Sequence, residues 1–209
     1  MKLKAIFWDV DGVLVQSKHL FSEKLEQNFG IDIKKMLPFF LGVFRECGVG
    51  KADLKEELSK VIDDWGWKGT VDELLHYWFT EGTKIDEETL CFVKELHDNG
   101  LPSYIVTDNE KYRGEYLRRI LKRSVVDRIF LSAELGCVKK TEVFWNKVYY
   151  AVKDIFQPHT LERNEILYID DDKDNIDAAR VFGLSTYLYD GDLDTLKSRM
   201  SQYISIPNI

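Results

Sequence analysis

Lys4-Ala5-Ile6-Phe7-Trp8-Asp9-Val10-Asp11-Gly12-Val13-Leu14 is the stretch whose reading decides the fold. Ala5, Ile6, Phe7 and Trp8 form an unbroken apolar run, as a strand buried on both faces of a parallel sheet requires. The run stops at two carboxylates. Asp9 and Asp11 sit two apart, and residues so spaced point the same way in extended chain. Gly12 then lets the backbone turn sharply. The pair is therefore expected in the crevice at the C-terminal strand ends, where open α/β sheets bind ligands. The plain alternative is a strand running into a solvated turn.

Outward from this stretch, residues 16–84 show helical patterns and no strand. Helices are expected over 19–29, 34–44 and 51–65, the last with Leu54, Leu58, Val61, Ile62 and Trp65 at helical spacing. Thr70 and Glu73 form a capping box that opens another helix through Leu74, Leu75, Trp78 and Phe79. From Asp86, a candidate N-cap, helix and strand alternate. Strands are expected at 103–107, 128–131, 165–169 and 185–189, with helices at 111–122, 141–155 and 172–182 and a last one capped by Asp192. This alternation implies an α/β fold with a central parallel sheet. The expected organisation is a core of residues 1–15 and 86–209, with a small all-helical insert at 16–85. The tail 204–209 is expected to be loosely ordered.

Polar residues follow the strands. The first ends in Asp9-Val10-Asp11-Gly12, the second in Thr107-Asp108-Asn109; Gly136-Cys137-Val138-Lys139-Lys140 follows the third, and Asp170-Asp171-Asp172 the fourth, with Asn175 beyond. One rim of a parallel sheet collects all of these. Asp9, Asp170 and Asp171 cannot share a site as bare anions, because like charges about 4 Å apart disfavour joint ionisation. A hard divalent cation resolves the conflict, and all-oxygen ligation with open positions suits magnesium. Lys139 is a candidate phosphate clamp, against the plain reading of a solvated lysine that fits Lys140. Thr107 can donate its hydroxyl to a phosphate oxygen, or cap a helix instead. Asp172 is expected to cap the next helix.

Composition narrows the classes. A hydrophobic fraction of 44% in 209 residues supplies a sizeable core. The net charge of −7 disfavours nucleic-acid backbones. Three widely spaced cysteines show neither metal spacing nor a disulfide framework, which fits a reducing cytoplasm. No apolar run reaches membrane-span length, and no signal peptide is read at the start. The four histidines lack ligand spacing, and Trp65, Trp67, Trp78 and Trp145 are assigned to cores, with a substrate pocket lined by cap aromatics as the alternative.

The chain resembles the haloacid dehalogenase-like (HAD) hydrolase superfamily over nearly its whole length. Asp9-Val-Asp-Gly-Val-Leu is similar to the first signature, Thr107 to the second, Gly136-x-x-Lys139 to the third and Asp170-Asp171-x-x-x-Asn175 to the fourth. The helical insert resembles the cap of the subfamily that includes β-phosphoglucomutase and sugar-phosphate phosphatases. The resemblance implies a Rossmann-like three-layer core and a magnesium-dependent phosphatase acting on a small phosphorylated metabolite. It implies Asp9 as nucleophile and Asp11 as acid and base. Magnesium would sit on Asp9, the Asp11 carbonyl and Asp171, with Asp170 in support; Lys139 and Thr107 would hold phosphate. It also implies a cap closing through segments 15–18 and 82–85.

Two positions depart from the family pattern. Lys140 stands where proline usually follows the lysine, and Asp108 where asparagine often follows the threonine. Asp108 is thus a candidate substrate contact, as are Arg45 and Lys51, whose plain reading is two solvated side chains. Within the superfamily a dehalogenase needs neither the second aspartate nor the metal, so Asp11 argues against it. A phosphomutase would use the same core, and a non-catalytic binding module would keep only the fold. Oligomeric state is not legible.

Overall fold

Ala5, Ile6, Phe7 and Trp8 have no exposed surface, which a strand flanked on both sides and covered on both faces requires. The computed structural model describes residues 2–16, 21–121, 125–158 and 160–203. It holds a five-stranded parallel sheet of β1 (Ala5–Trp8), β2 (Ser103–Thr107), β3 (Arg128–Leu131), β4 (Ile166–Asp170) and β5 (Ser185–Leu188), in the order β3-β2-β1-β4-β5. The register sets Trp8 beside Ile105 on one side and Ile169 on the other. Asp9, Thr107 and Asp170 therefore leave the sheet along a single edge.

Alternation along β1 divides the core. Ile6 and Trp8 join a cluster with Phe92, Val93 and Leu96 of α7 (Glu87–Asp98), Leu117 of α8 (Lys111–Ile120) and Leu196 of α12 (Leu193–Met200). Ala5 and Phe7 join Phe144, Trp145 and Val148 of α10 (Glu142–Lys153) and Ile176 and Phe182 of α11 (Lys173–Phe182). The sheet is thus the middle of three layers. Each fully buried large side chain contributes about 1.5–3 kcal/mol, so these two clusters fix the strand positions. A short helix that the sequence reading lacks, α9 (Ser132–Leu135), follows β3.

Residues 21–84 hold α1 (Phe21–Phe29), α2 (Ile33–Leu41), α3 (Val43–Gly48), α4 (Leu54–Ser59), α5 (Ile62–Trp65) and α6 (Val71–Glu81), with no strand among the described residues. They bury a cluster of their own around Leu25, Met36, Leu58, Trp65 and Leu74. The Thr70 capping box is present, with Glu73 N–H donating to the Thr70 hydroxyl and Thr70 N–H to the Glu73 carboxylate.

Two expected helices are each broken in two. The 34–44 helix stops at Gly42, where a Cβ would lie 2.7 Å from the Pro38 carbonyl oxygen; only glycine permits the close approach. The 51–65 helix begins only at Leu54, because Asp53 caps it, and it breaks again at 60–61. Phe29, at the end of α1, is half exposed and packs edge-on against Trp67 and Tyr77. The aromatics of this region stack on one another, as Phe21 does on Trp78 with centroids 4.5 Å apart.

The two connections between this helical region and the sheet are hydrogen-bonded together. Gln16 N–H donates to the Lys84 carbonyl and Asp86 N–H to the Leu14 carbonyl, each at 2.9 Å, around a Val15–Ile85 bridge. The expected connector residues 17–18 and helical start at 19–20, the helix end at Lys122, His159 and the tail 204–209 lie outside the described residues. No helix among the described residues is long and apolar enough to cross a membrane.

Candidate active site

The loop after β1 is wound around a single carbonyl. Val10 C=O accepts from the N–H groups of Val13, Leu14 and Val15, while Val10, Val13 and Leu14 are buried below the sheet edge. Gly12 takes φ +83°, and a Cβ there would come within 2.0 Å of the Asp171 carboxylate. The loop thus needs glycine twice over, for its backbone angle and for the approach of Asp171.

Lys139 is the buried centre of the site. Its ammonium lies 2.7 Å from Asp9 Oδ1 and 2.8 Å from Asp170 Oδ2. Both Asp108 oxygens lie within hydrogen-bond reach of the Lys139 backbone N–H, at 3.0 and 3.3 Å, which ties the lysine loop to the end of β2. Burial alone would pull the ammonium down, but Asp9, Asp170 and Asp108 outweigh it and hold its pKa above the ordinary lysine range. Lys140 instead points outward, to Asp172 and Asp174 at 3.2 and 3.1 Å, as the solvated reading expected.

Asp170 and Asp171 differ although adjacent. Asp170 Oδ2 accepts from Lys139, from the Tyr168 hydroxyl and from Asn175 Nδ2 at 3.1 Å; Oδ1 accepts from Asp172 N–H at 2.7 Å. Burial, with Asp9 and Asp170 beside it, pushes the Tyr168 phenol well above its ordinary range, so it stays a donor. Asp171 is exposed in the cleft. Carboxylate oxygens of Asp9, Asp170 and Asp171 come within 4.8 Å of one another. Asp172 caps α11, as expected, accepting from Asp174 and Asn175 N–H.

Two carboxylates, Asp9 and Asp170, share one ammonium, and Asp171 adds a third carboxylate to the cluster. Burial is the main force on Asp9 and pushes its carboxyl up to about 8; Lys139 pulls the other way and Asp170 adds to the rise. Asp9 Oδ1 is buried and receives no aligned hydrogen bond, despite its ion pair with Lys139. An oxygen-only donor set with surplus negative charge and an unsatisfied oxygen fits a small hard dication.

Asp11 lines the same cleft at its exposed side. Its side chain is 56% exposed; Oδ2 accepts from Asn109 Nδ2 at 3.1 Å and Oδ1 from Arg113 Nη2 at 3.2 Å. Asn109 Nδ2 also donates to the buried Thr107 hydroxyl oxygen at 2.7 Å. This cleft of about 890 Å³ is lined by Asp9, Asp11, Thr107, Asp108, Lys139 and Asp171, with Gln16 and Asp190 among its outer residues.

The haloacid dehalogenase-like hydrolase family matches residues 3–183. The chain belongs to this family. A HAD-like hydrolase of Porphyromonas gingivalis superposes with a TM-score of 0.77 at 18% identity, covering 97% of this chain and 99% of that one. A HAD family enzyme of Bacteroides thetaiotaomicron, crystallised with magnesium and inorganic phosphate, gives 0.72 at 18% identity, over 93% and 98% of the two chains. The 2-haloacid dehalogenase of Pseudomonas syringae gives 0.66 at 12% identity, over 97% and 100%. No protein of curated function matches this HAD-like hydrolase in sequence.

Seven of the nine candidate residues, Asp9, Asp11, Thr107, Asp108, Lys139, Asp170 and Asp171, meet at this HAD-like cleft or its floor. Arg45 and Lys51 do not line it. Lys51 borders a separate cavity of about 310 Å³ with Asp53, Glu110 and Tyr112, and pairs with Glu46 at 3.7 Å. Their loop rests on the sheet side of the molecule instead, with the Ser132 hydroxyl donating to the Gly48 carbonyl at 2.6 Å. Sequence reasoning missed Tyr168 and Arg113, and set Asn109 on the rim without giving it a role. Tyr168 reads as another apolar strand residue, and Asn109 as part of a turn; only the two-residue offset of Tyr168 from Asp170 signals a shared face.

Proposed function

We propose that this HAD-like hydrolase is a magnesium-dependent phosphatase that acts on a small phosphorylated metabolite through a phosphoryl-aspartate at Asp9. The observation that carries the proposal is the pairing of a buried Asp9, crowded by Lys139 and Asp170, with a second carboxylate, Asp11, that lines the same cleft. A dehalogenase has no use for the second carboxylate. Residues 16–85 act as the cap over this core.

Magnesium would be held by Asp9, the Asp11 carbonyl and Asp171, and would supply positive charge for the phosphoryl oxygens. Asp170 serves as a support, since its oxygens are already engaged by Lys139, Tyr168, Asn175 and Asp172. Lys139, whose ammonium form is favoured by Asp9, Asp170 and Asp108, steadies Asp9 and neutralises charge on the transferring group. The Thr107 hydroxyl, accepting from Asn109, has its own proton free to donate to a phosphate oxygen.

The reaction balances over two steps. An Asp9 oxygen attacks phosphorus, the bond to the leaving oxygen breaks, and that oxygen takes a proton from Asp11. Water then attacks the same phosphorus, returns a proton to Asp11 and displaces the Asp9 oxygen. The test is phosphate release from an aryl phosphate, with and without magnesium, by the wild type and by Asp9→Asn. Magnesium-dependent release that Asp9→Asn abolishes is expected. Release that survives the substitution, or no release from the aryl phosphate or a broad metabolite panel, sinks the proposal.

A further inference from the structure

Arg113 lies outside the four signature segments, yet it touches both Asp11 and the return from the cap. Nη2 donates to Asp11 Oδ1 at 3.2 Å, and Nη1 donates to the Thr83 hydroxyl oxygen. Thr83 is two residues from Ile85, whose bridge to Val15 joins the two connections. The Arg113 side chain is only 9% exposed, although the Asp11 carboxylate it reaches is 56% exposed.

The guanidinium is held from every side. Its central carbon lies 5.9 Å from the ring of Phe79, on cap helix α6, and 5.8 Å from that of Tyr116, on core helix α8. The Arg113 backbone N–H donates to Glu110 Oε1 at 2.6 Å, which fixes the residue at the capped start of α8. Glu110 is itself buried and adds a carboxyl nearby. A planar fork with donors on separate nitrogens can join a core carboxylate to a cap hydroxyl; an ammonium on a flexible stem cannot hold both at fixed angles.

Asp11 needs such a partner. Asn109 fixes one of its oxygens, and a single hydrogen bond leaves an exposed carboxylate free to turn. Proton transfer to a leaving oxygen depends on heavy-atom approach within a few tenths of an ångström. We propose that Arg113 is a positioning residue: it sets the orientation of the Asp11 carboxylate according to where the cap's return segment lies, so that cap position and proton transfer are coupled through one side chain. The inference rests on the phosphatase reading for its kinetics, but the bridge itself does not.

The test separates substrates by leaving group. An aryl phosphate departs with little help from an acid, whereas an alkyl phosphate needs the proton. Arg113→Met, close in bulk and without charge, is expected to lower kcat/KM about tenfold to a hundredfold more for the alkyl than for the aryl substrate. Arg113→Lys should recover only part of that gap. Thr83→Val should open a smaller gap in the same direction. Amide hydrogen exchange over 82–86 should quicken in Arg113→Met, because the bridge no longer ties this segment to α8.

Equal losses on both substrates, with exchange over 82–86 unchanged, would make Arg113 a structural cation for Glu110 and overturn the proposal. Full recovery by Arg113→Lys would also overturn it, since charge alone would then suffice. If the wild type releases no phosphate from either substrate, the phosphatase reading fails by itself. Hydrogen exchange then decides the bridge: faster exchange over 82–86 supports it, and unchanged exchange removes it.

Discussion

The floor and the wall of the cleft carry carboxylates two residues apart, and they are built in opposite ways. Asp9, on the floor, is buried against Lys139 and Asp170, and its contacts come from the ends of the sheet. Asp11, on the wall, is more than half exposed and is held by Asn109 and Arg113, the second of which also reaches Thr83, where the helical region returns to the core. The floor is therefore as rigid as the strand register that makes it. The wall depends on how a helical region sits against the core. In the proposed mechanism the nucleophile, Asp9, gains from a fixed position, whereas the acid–base group, Asp11, has to meet the leaving oxygen of the substrate.

The sharpest way to break the floor is Lys139→Met. It leaves Asp9 and Asp170 as buried charges without their cation, and losing one member of a buried pair costs roughly 3–5 kcal/mol. Denaturant unfolding should show that loss without magnesium, together with the disappearance of phosphate release. A stability change under about 0.5 kcal/mol, the size of an ordinary surface substitution, would mean that the floor is not held as described.

Asp11→Asn attacks the wall instead. It keeps the shape but gives up the transferable proton, so release from an alkyl phosphate should fall by about 10²–10⁴. The unfolding midpoint should barely move, since the side chain is exposed. If stability and activity fell together, floor and wall would be one structural unit. The smallest effect belongs to Thr70→Ala. It removes half of the capping box of α6 and should cost about 1 kcal/mol of stability while leaving kcat/KM on the aryl phosphate unchanged. A loss of activity there would show that the far end of α6 takes part in closing the site.

The same division governs what can be read from the sequence. Asp9, Thr107, Lys139, Asp170 and Asp171 were legible because a parallel sheet sends every strand end to one rim, whatever the intervening chain does. The Thr70, Asp86 and Asp192 caps were legible because capping is local. Arg113 was not, because its role depends on the rotation of α8 and on where Thr83 and Phe79 arrive from the helical region. Helical periodicity also ran through Gly42, since the break there arises from contact with the Pro38 carbonyl and not from the apolar pattern. Arg45 and Lys51 are exposed, as their solvated reading expected, and the turn after α3 docks on Ser132 and packs Gly50 against the Ala133 carbonyl.

The measurement closest to the central claim is peptide mapping of protein quenched in acid during turnover of an aryl phosphate with magnesium. The expected result is a phosphoryl group on the peptide that holds Asp9, released by hydroxylamine as an acyl phosphate must be, and missing from Asp9→Asn. A phosphoryl group on any other residue, or turnover by Asp9→Asn equal to that of the wild type, would contradict the account.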